Sequence, residues 1–288
     1  MTYSFQALGT TWWIEIFDEK TETGLNAALH EVELFAAQFE NRYSRFKADS
    51  LIAHLNTKRE LIDPDEHCRA ILTYGKNLYL RTNTTFNFLC GHILEARGYD
   101  ADYSFVAKDS TSLAIPNPIS DLIISSESIS LAAGSVDLGG FGKGYLIDEI
   151  AKLLQEKYAL NFFLINGGGD MYATSNHDQP IEVLLEHPNL PHTSIYKTTL
   201  QNQGFAASSP HKRVWQNSTG THHHIVSDQI TSDATYIKAT RTAEADAFAT
   251  TILQLDKNAI ERLAQAEELA VAQFDMQSQL LTKTRNFD

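Results

Sequence analysis

The order of secondary-structure patterns limits the fold of this chain more than any other feature of its sequence. Helical spacings and runs of β-branched and aromatic residues follow one another irregularly, so that helices stand between groups of short strands. A doubly wound sheet would require regular alternation, and the observed order predicts an α+β fold with mixed or antiparallel sheets flanked by helices. Length alone leaves the domain count open. Because no repeat, low-complexity tract or long linker interrupts the pattern, we expect a single domain over residues 1–288.

Local patterns place the individual elements. A helix is expected after Thr23, its predicted N-cap, because apolar residues recur at helical spacing from Leu25 to Phe39. Further helices are predicted over 66–80, from Lys143 onward, over 243–255 and from there to about residue 267. Strands are predicted at 10–17, 121–125, 128–132, 161–165, 181–186, 204–207, 223–226, 234–240 and 269–274. The polar stretch 208–220 is predicted to be a loop.

Charge and apolar content exclude several classes of partner. The formal net charge is −13, which has the wrong sign for a general nucleic-acid or anionic-membrane surface. This negative charge is compatible with binding of a small anion that is held by a metal ion or by backbone amides. No run approaches the ~18 apolar residues of a membrane helix, and the opening residues lack a basic-then-apolar signal, so we expect a cytoplasmic protein. A trimmed export signal would leave the same appearance. Cys68 and Cys90 are expected to be reduced thiols, with a disulfide as the alternative.

Four glycines, Gly139, Gly140, Gly142 and Gly144, lie in the segment 136–145 that leads into a predicted helix. Glycines let a backbone come close to a ligand, and a helix N-terminus offers N–H groups to an anion. A tight strand-to-helix turn is the alternative. The segment is not a Walker A loop, because Asp137 occupies the first glycine position and Gly144 the Ser/Thr position. The spacing G-x-G-x-G also excludes the dinucleotide fingerprint.

A second glycine cluster and a pair of oxygen-bearing side chains add weaker signals. The residues Asn166 to Asp170 follow the predicted strand 161–165, at the strand end where ligands often bind. Asp246 and Thr250 are spaced i, i+4, so both project from one helical face, and their oxygens suit Mg²⁺. The alternative is a solvated Asp and a Thr bonded to its own helix.

The run His222-His223-His224 suggests zinc at first sight. In a strand over 221–226, alternation would place His222 and His224 on one face and His223 on the other. No cysteine and no evident third ligand accompany them, so a single catalytic or ligand-positioning histidine is the favoured interpretation.

The order of these motifs resembles the ApbE family, the FAD:protein FMN transferases, over nearly the whole chain. Two motifs about 100 residues apart carry most of the likeness, namely D-L-G-G-x-x-K-G-Y, which matches 137–145, and A-D-A-x-x-T, which matches 245–250. Further matches are Leu8-Gly9-Thr10 to the Met-Gly-Thr opening, 40–56 to E-x-x-x-S-R-F…S…L-N, Phe86-Asn87, Gly98-Tyr99-Asp100, and 166–170 to N-x-G-G-D. After His224 the chain reads Ile225-Val226-Ser227-Asp228-Gln229 where the family has I-I-D-P-x-T-G.

The resemblance implies Mg²⁺-dependent transfer of FMN from FAD onto a Thr or Ser hydroxyl of an acceptor protein, with release of AMP. By position, it implies that Asp246, Thr250 and the Gly142 carbonyl bind Mg²⁺, and that His224 helps to activate the acceptor hydroxyl, with Asp246 as the second catalytic residue. The implied FAD-binding residues are Gly9, Thr10, Asn56, Gly139, Gly140, Lys143, Gly168, Gly169 and Asp170. A metal-dependent FAD pyrophosphatase and a non-catalytic FAD-binding protein are the alternatives, the former because of the altered sequence after His224.

Overall fold

A computed structural model describes residues 1–107, 114–175, 179–218, 220–227 and 229–288. The helices of this part of the chain are α1 Glu22–Tyr43, α2 Leu51–Lys58, α3 Glu66–Arg81, α4 Gly91–Ala96, α5 Pro118–Asp121, α6 Gly142–Tyr158, α7 Thr242–Ile252 and α8 Lys257–Ala266. Its strands are β1 Thr2–Ala7, β2 Thr10–Ile16, β3 Glu60–Ile62, β4 Leu122–Ile124, β5 Ser128–Leu131, β6 Phe163–Gly167, β7 Asp170–Thr174, β8 Ile181–Glu186, β9 Ser194–Leu200, β10 Gln203–Ser208, β11 Val214–Asn217, β12 Gly220–His223, β13 Ala234–Ala239, β14 Ala270–Asp275 and β15 Leu280–Lys283. The fold is α+β, as predicted.

The chain divides into two compact units, each of them discontinuous in sequence. The first unit comprises Met1–Gln38, Phe141–Ser209 and Ile230–Asp288, and the second comprises Phe39–Gly140 and Pro210–Gln229. The single domain over residues 1–288 stays a prediction. Among the described residues, none of the helices combines the length and apolar character that crossing a membrane requires.

The first unit is built on an eight-stranded sheet with the order β1-β2-β6-β7-β10-β13-β14-β15, in which neighbouring strands run antiparallel. One apolar cluster joins this sheet to α7 and α8, with Phe248, Ile252 and Leu263 among its members. A second cluster joins it to the hairpin β8–β9 and includes Phe205 and Phe287. The alternation of buried and exposed residues along β2 buries Trp12, Ile14 and Ile16, the period-2 pattern of a strand with one core face.

The second unit contains a three-stranded antiparallel sheet, β3-β5-β4, the hairpin β11–β12 and the helices α2 to α5. Ser50 and Asp65 cap α2 and α3 by accepting hydrogen bonds from the N–H groups of Ala53 and Cys68. Cys68 is buried, and both cysteines are free thiols, as expected.

Several local predictions are wrong. Thr23 lies inside α1, and Thr21 takes the capping position, because its Oγ1 accepts a hydrogen bond from the Gly24 N–H at 3.3 Å. The stretch 208–220 contains strand β11, which forms because it pairs with β12 (Thr219, within that stretch, lies outside the described residues). The strand predicted at 223–226 ends at His223, so the predicted alternation of histidines does not extend to His224. Asp228, in the segment that departs from the family motif, also lies outside the described residues.

Candidate functional site

Three charged side chains, Lys143, Asp170 and Asp246, meet inside the first unit, and we call them the charged cluster. Lys143 Nζ lies 2.5 Å from Asp170 Oδ2 and 3.4 Å from Asp246 Oδ2. The side chains of Lys143, Asp170 and Asp246 are 17%, 5% and 10% exposed. Burial of two carboxylates beside one ammonium leaves a net negative charge when all three groups are ionised, which is costly in a poorly solvated site. The cluster is therefore suited to a further cation.

The elements that supply the cluster are brought together by a close approach of two helix starts. Lys143 is in the first turn of α6, and Asp246 is in the second turn of α7. A Cβ on Gly144 would lie 2.5 Å from the carbonyl oxygen of Thr242 and 2.7 Å from Cα of Ala243. Both neighbours are backbone atoms, so only glycine allows α6 and α7 to pack at this distance. The glycine of the predicted Lys-Gly-Tyr motif thus has a packing function.

Burial dominates the electrostatics of Asp246. Burial, and after it the nearby Asp170, raise the pKa of this carboxyl, whereas Lys143 and the backbone N–H of Gly144 lower it, and the net result is a pKa of about 7. A carboxyl held in this way keeps its proton more readily than an ordinary Asp. A divalent cation would favour the ionised form, because it would offset the negative charge of Asp170.

Of the predicted metal ligands, Asp246 belongs to this cluster, and Gly142 and Thr250 lie on the two helices that carry Lys143 and Asp246. Gly142 is buried at the start of α6, and Thr250 is half-buried one helical turn beyond Asp246 in α7. In the part of the chain that the structure describes, no three His, Cys, Asp or Glu side chains group as a metal site. Mg²⁺ takes only one or two carboxylates from a protein and completes its shell with other oxygens. The two buried carboxylates and the nearby hydroxyl therefore fit Mg²⁺ in chemical type, and the assignment of these ligands stays a prediction.

The second glycine cluster forms the hairpin turn between β6 and β7. Gly167 pairs with Asp170, so Gly168 and Gly169 are the two turn residues, with φ of +71° and +105°. Positive φ at both positions is typical of the type I′ turn that joins two antiparallel strands. The turn places Asp170 at the first position of β7, from which its side chain reaches Lys143.

The opening motif lies next to this turn. Leu8 and Gly9, both with positive φ, join β1 to β2, and Thr10 is the first residue of β2. A Cβ on Gly168 would lie 2.6 Å from Thr10 Oγ1. The structure thus brings Gly9 and Thr10 together with the Gly168–Gly169 turn, although the two motifs are far apart in sequence.

In the second unit, the predicted FAD-binding residues Gly139 and Gly140 follow Val136 and Asp137, which take part in side-chain hydrogen bonds. The Asn56 amide donates to Val136 O at 2.9 Å, and its Oδ1 accepts from Val136 N at 2.7 Å. Asp137 Oδ1 accepts a hydrogen bond from the Gly139 N–H at 2.6 Å. The Asn56 side chain thus makes two backbone contacts, and its predicted contact with flavin stays a prediction.

Asp137 is itself held by a buried arginine. Arg45 Nε donates to Asp137 Oδ2 at 2.6 Å, and Arg45 Nη2 donates to Tyr99 O at 2.8 Å. The Arg45 guanidinium carbon also lies 4.1 Å from the ring centroid of Phe46, a cation–π contact. Arg45 and Asp137 both belong to family motifs in the sequence, yet nothing in their spacing indicated that they form an ion pair.

The histidines occupy the end of the hairpin β11–β12 in the second unit. His222 Nε2 lies 3.1 Å from Asn217 Oδ1, and the His222 ring is 6.0 Å from that of Trp215. His224 follows the end of β12 and is half-buried. Its predicted part in activating an acceptor hydroxyl stays a prediction.

Comparisons with known proteins agree with the motifs. No curated protein matches the chain. Among solved structures, an ApbE protein from Thermotoga maritima is similar at a TM-score of 0.80 and 17% identity, covering 100% of this chain and 97% of its own. The flavin transferase ApbE from Vibrio cholerae is similar at 0.77 and 15% identity, with coverages of 100% and 97%. The apo form of the flavinyl transferase ApbE from Pseudomonas stutzeri is similar at 0.79 and 16% identity, with coverages of 100% and 95%.

These likenesses establish the fold, and the family follows from the sequence itself. The family model of the ApbE family matches residues 8–273, which includes the charged cluster and both glycine segments. The chain belongs to the ApbE family.

Proposed function

We propose that this protein is a flavin transferase that moves FMN from FAD onto a Ser or Thr hydroxyl of an acceptor protein, with Mg²⁺ as its metal and AMP as the second product. Family membership supports this proposal. So do the flavin transferases of Vibrio cholerae and Pseudomonas stutzeri, whose fold the chain shares.

The charged cluster is the observation that carries the proposal. It combines two buried carboxylates, suited to Mg²⁺, with the first turn of α6. The backbone N–H groups of a first helical turn have no acceptors within the helix, and they attract anions. A pyrophosphate accompanied by Mg²⁺ presents both charges that such a site recognises.

The reaction requires no nucleophile from the enzyme. The acceptor hydroxyl oxygen attacks the phosphorus on the FMN side of the pyrophosphate, the bond from that phosphorus to the oxygen of the AMP phosphate breaks, and the hydroxyl proton passes to a base. His224 is the predicted base. A bound Mg²⁺ would neutralise the negative charge that develops on the leaving phosphate. Asp246 and Thr250, with the Gly142 carbonyl, would hold that ion, and Asp170 and Lys143 would set the charge around it.

The test is incubation of the purified protein with FAD, Mg²⁺ and a flavin-acceptor domain. AMP release and covalent flavin fluorescence in a denaturing gel are both followed, with EDTA and an Asp246→Ala variant as controls. We expect a fluorescent acceptor band that both controls abolish. Bound FAD without either product would refute the proposal and favour a non-catalytic flavin-binding protein.

A metal-dependent FAD pyrophosphatase is the second candidate. The sequence Ile225-Val226-Ser227-Asp228-Gln229 after His224 favours it, because the family's D-P-x-T-G is absent from that position. Water would then replace the acceptor hydroxyl, and FMN and AMP would be released. AMP formation at the same rate with and without acceptor, and no fluorescent band, would support this candidate over the transferase.

A further inference from the structure

A buried aspartate from α6 caps the helix that carries Asp246. The residue before α7 is Arg241, and within the described residues its side chain makes no capping hydrogen bond. Asp148 of α6 takes this function from outside the helix. Its Oδ1 accepts from the Thr242 N–H at 2.8 Å, and its Oδ2 accepts from the Ala243 N–H at 3.1 Å. One carboxylate thus satisfies two of the N–H groups that a helix start leaves without partners.

Charge strengthens this contact. The Asp148 side chain is 8% exposed, and Arg241 Nε lies 3.3 Å from its Oδ2. Burial raises the pKa of Asp148 above its ordinary value, and Arg241 and the N–H groups of Thr242 and Ala243, which favour the ionised form, offset only part of this rise. A carboxylate at a helix N-terminus also interacts favourably with the helix dipole. Both carboxylate oxygens are used, so an amide could replace only part of the interaction.

Thr242 connects α7 to the third element of the charged cluster. Its side chain is fully buried, and its Oγ1 donates to Met171 O at 3.1 Å. Met171 directly follows Asp170 in β7. The first residue of α7 is therefore fixed to α6 by Asp148 and to β7 by its own hydroxyl, and these are the elements that carry Lys143 and Asp170.

We propose that Asp148 is a positioning residue, which fixes the start of α7 against α6 and so sets the placement of Asp246 relative to Lys143 and Asp170. This proposal rests on the proposed function in one respect, namely that the charged cluster binds a divalent cation. The contacts of Asp148 given above are all with residues at the start of α7. Its effect passes through the position of α7, and a misplacement of about 1 Å is enough to weaken a site greatly.

Mn²⁺ binding tests the proposal without reference to turnover. It is measured as the decrease in the EPR signal of free Mn²⁺ when the protein is added. The variants are Asp148→Asn and Asp148→Ala. The matched control is Asp256→Ala, because Asp256 caps the neighbouring helix α8 by accepting from the Ala259 N–H at 2.9 Å, and α8 carries none of the cluster residues. Thermal unfolding is measured for all of these proteins.

We expect Asp148→Asn to weaken Mn²⁺ binding about tenfold and Asp148→Ala more, the range known for residues that support metal ligands. We expect Asp256→Ala to lower the unfolding temperature but to bind Mn²⁺ like the wild type. Wild-type affinity in a folded Asp148→Asn variant would overturn the proposal, as would an equal loss in Asp256→Ala. If the wild type binds Mn²⁺ but flavinylates no acceptor, the proposed function fails and the inference on Asp148 stands or falls on the variants. If the wild type binds neither Mn²⁺ nor FAD, both are overturned.

Discussion

Replacing Gly144 with alanine would test the packing between the starts of α6 and α7. The added Cβ would lie 2.5 Å from the Thr242 carbonyl oxygen, and an ordinary contact begins near 3.4 Å, so the helices must separate by about 0.9 Å. Overpacking costs about 1–3 kcal/mol, and a clash with backbone atoms, which cannot rotate away, belongs to the upper part of this range, about 2–3 kcal/mol. Alanine recovers at most about 1 kcal/mol through its helix propensity. We therefore expect the free energy of unfolding to fall by about 1–2 kcal/mol, measured by urea unfolding with tryptophan fluorescence.

The same shift should reduce flavin transfer more than it reduces stability. A displacement near 1 Å moves Asp246 away from Lys143, and we expect the transfer rate to fall by about tenfold to a hundredfold. Gly24→Ala is the matched control, because Gly24 is exposed in α1 and its added Cβ would meet only the Thr21 hydroxyl, at 3.2 Å. That variant should keep full activity with unchanged or slightly higher stability. Equal behaviour of the two alanine variants in both assays would refute the reasoning.

Three further predictions concern stability. Burial lowers the pKa of Lys238 to about 8 from 10.5, so between these pH values the unfolded chain binds more protons than the folded one. The free energy of unfolding of the wild type, relative to Lys238→Met, should therefore rise by about 1–2 kcal/mol from pH 7.5 to 9.5 in urea titrations, and a flat difference would contradict this. Phe287→Ala removes a fully buried ring and should lower the free energy of unfolding by about 3–5 kcal/mol. The control Leu280→Ala, at a residue that is 57% exposed, should lower it by less than about 0.5 kcal/mol. Similar losses in the two variants would show that burial of the ring is not the cause. Arg45→Met and Asp137→Asn, alone and together, should show a coupling energy of about 1–3 kcal/mol in a double-mutant cycle, and additive effects would argue against the buried pair.

The sequence predicts best those elements whose signals are local. The helix predicted over 66–80 is α3 Glu66–Arg81, because its apolar residues fall on one face and bury Ile71, Leu72 and Leu78 together. In contrast, β11 has four residues and no strong pattern of its own. It is a strand because β12 pairs with it, and a single-sequence pattern contains no information about that partner.

The same distinction applies to the site. The sequence alone identifies Asp246 and Thr250 as candidate ligands, because their oxygens are spaced i, i+4. It also identifies the glycines of α6, because they are clustered. Asp148 is not identified in this way, because its hydrogen bond to Thr242 joins residues 94 positions apart. The Lys143–Asp170 ion pair is not evident in the sequence either, since the resemblance implies only that both residues bind FAD. Such contacts depend on the tertiary fold, and they produce no periodic pattern in the sequence.

The strand order of the large sheet has a consequence for synthesis on the ribosome. The hairpin β1–β2 is made long before β6, and β2 gains its second neighbour only when the chain has reached Gly167 in β6. Until then one edge of β2 is open while Trp12 and Ile14 lack their core partners, a state that invites pairing with other chains. The ladder from β10 through β13 to β14 is complete only at Asp275. A nascent chain stalled before Gly167 should therefore be sensitive to protease at the β1–β2 hairpin, and a chain stalled after Asp275 should be protected there.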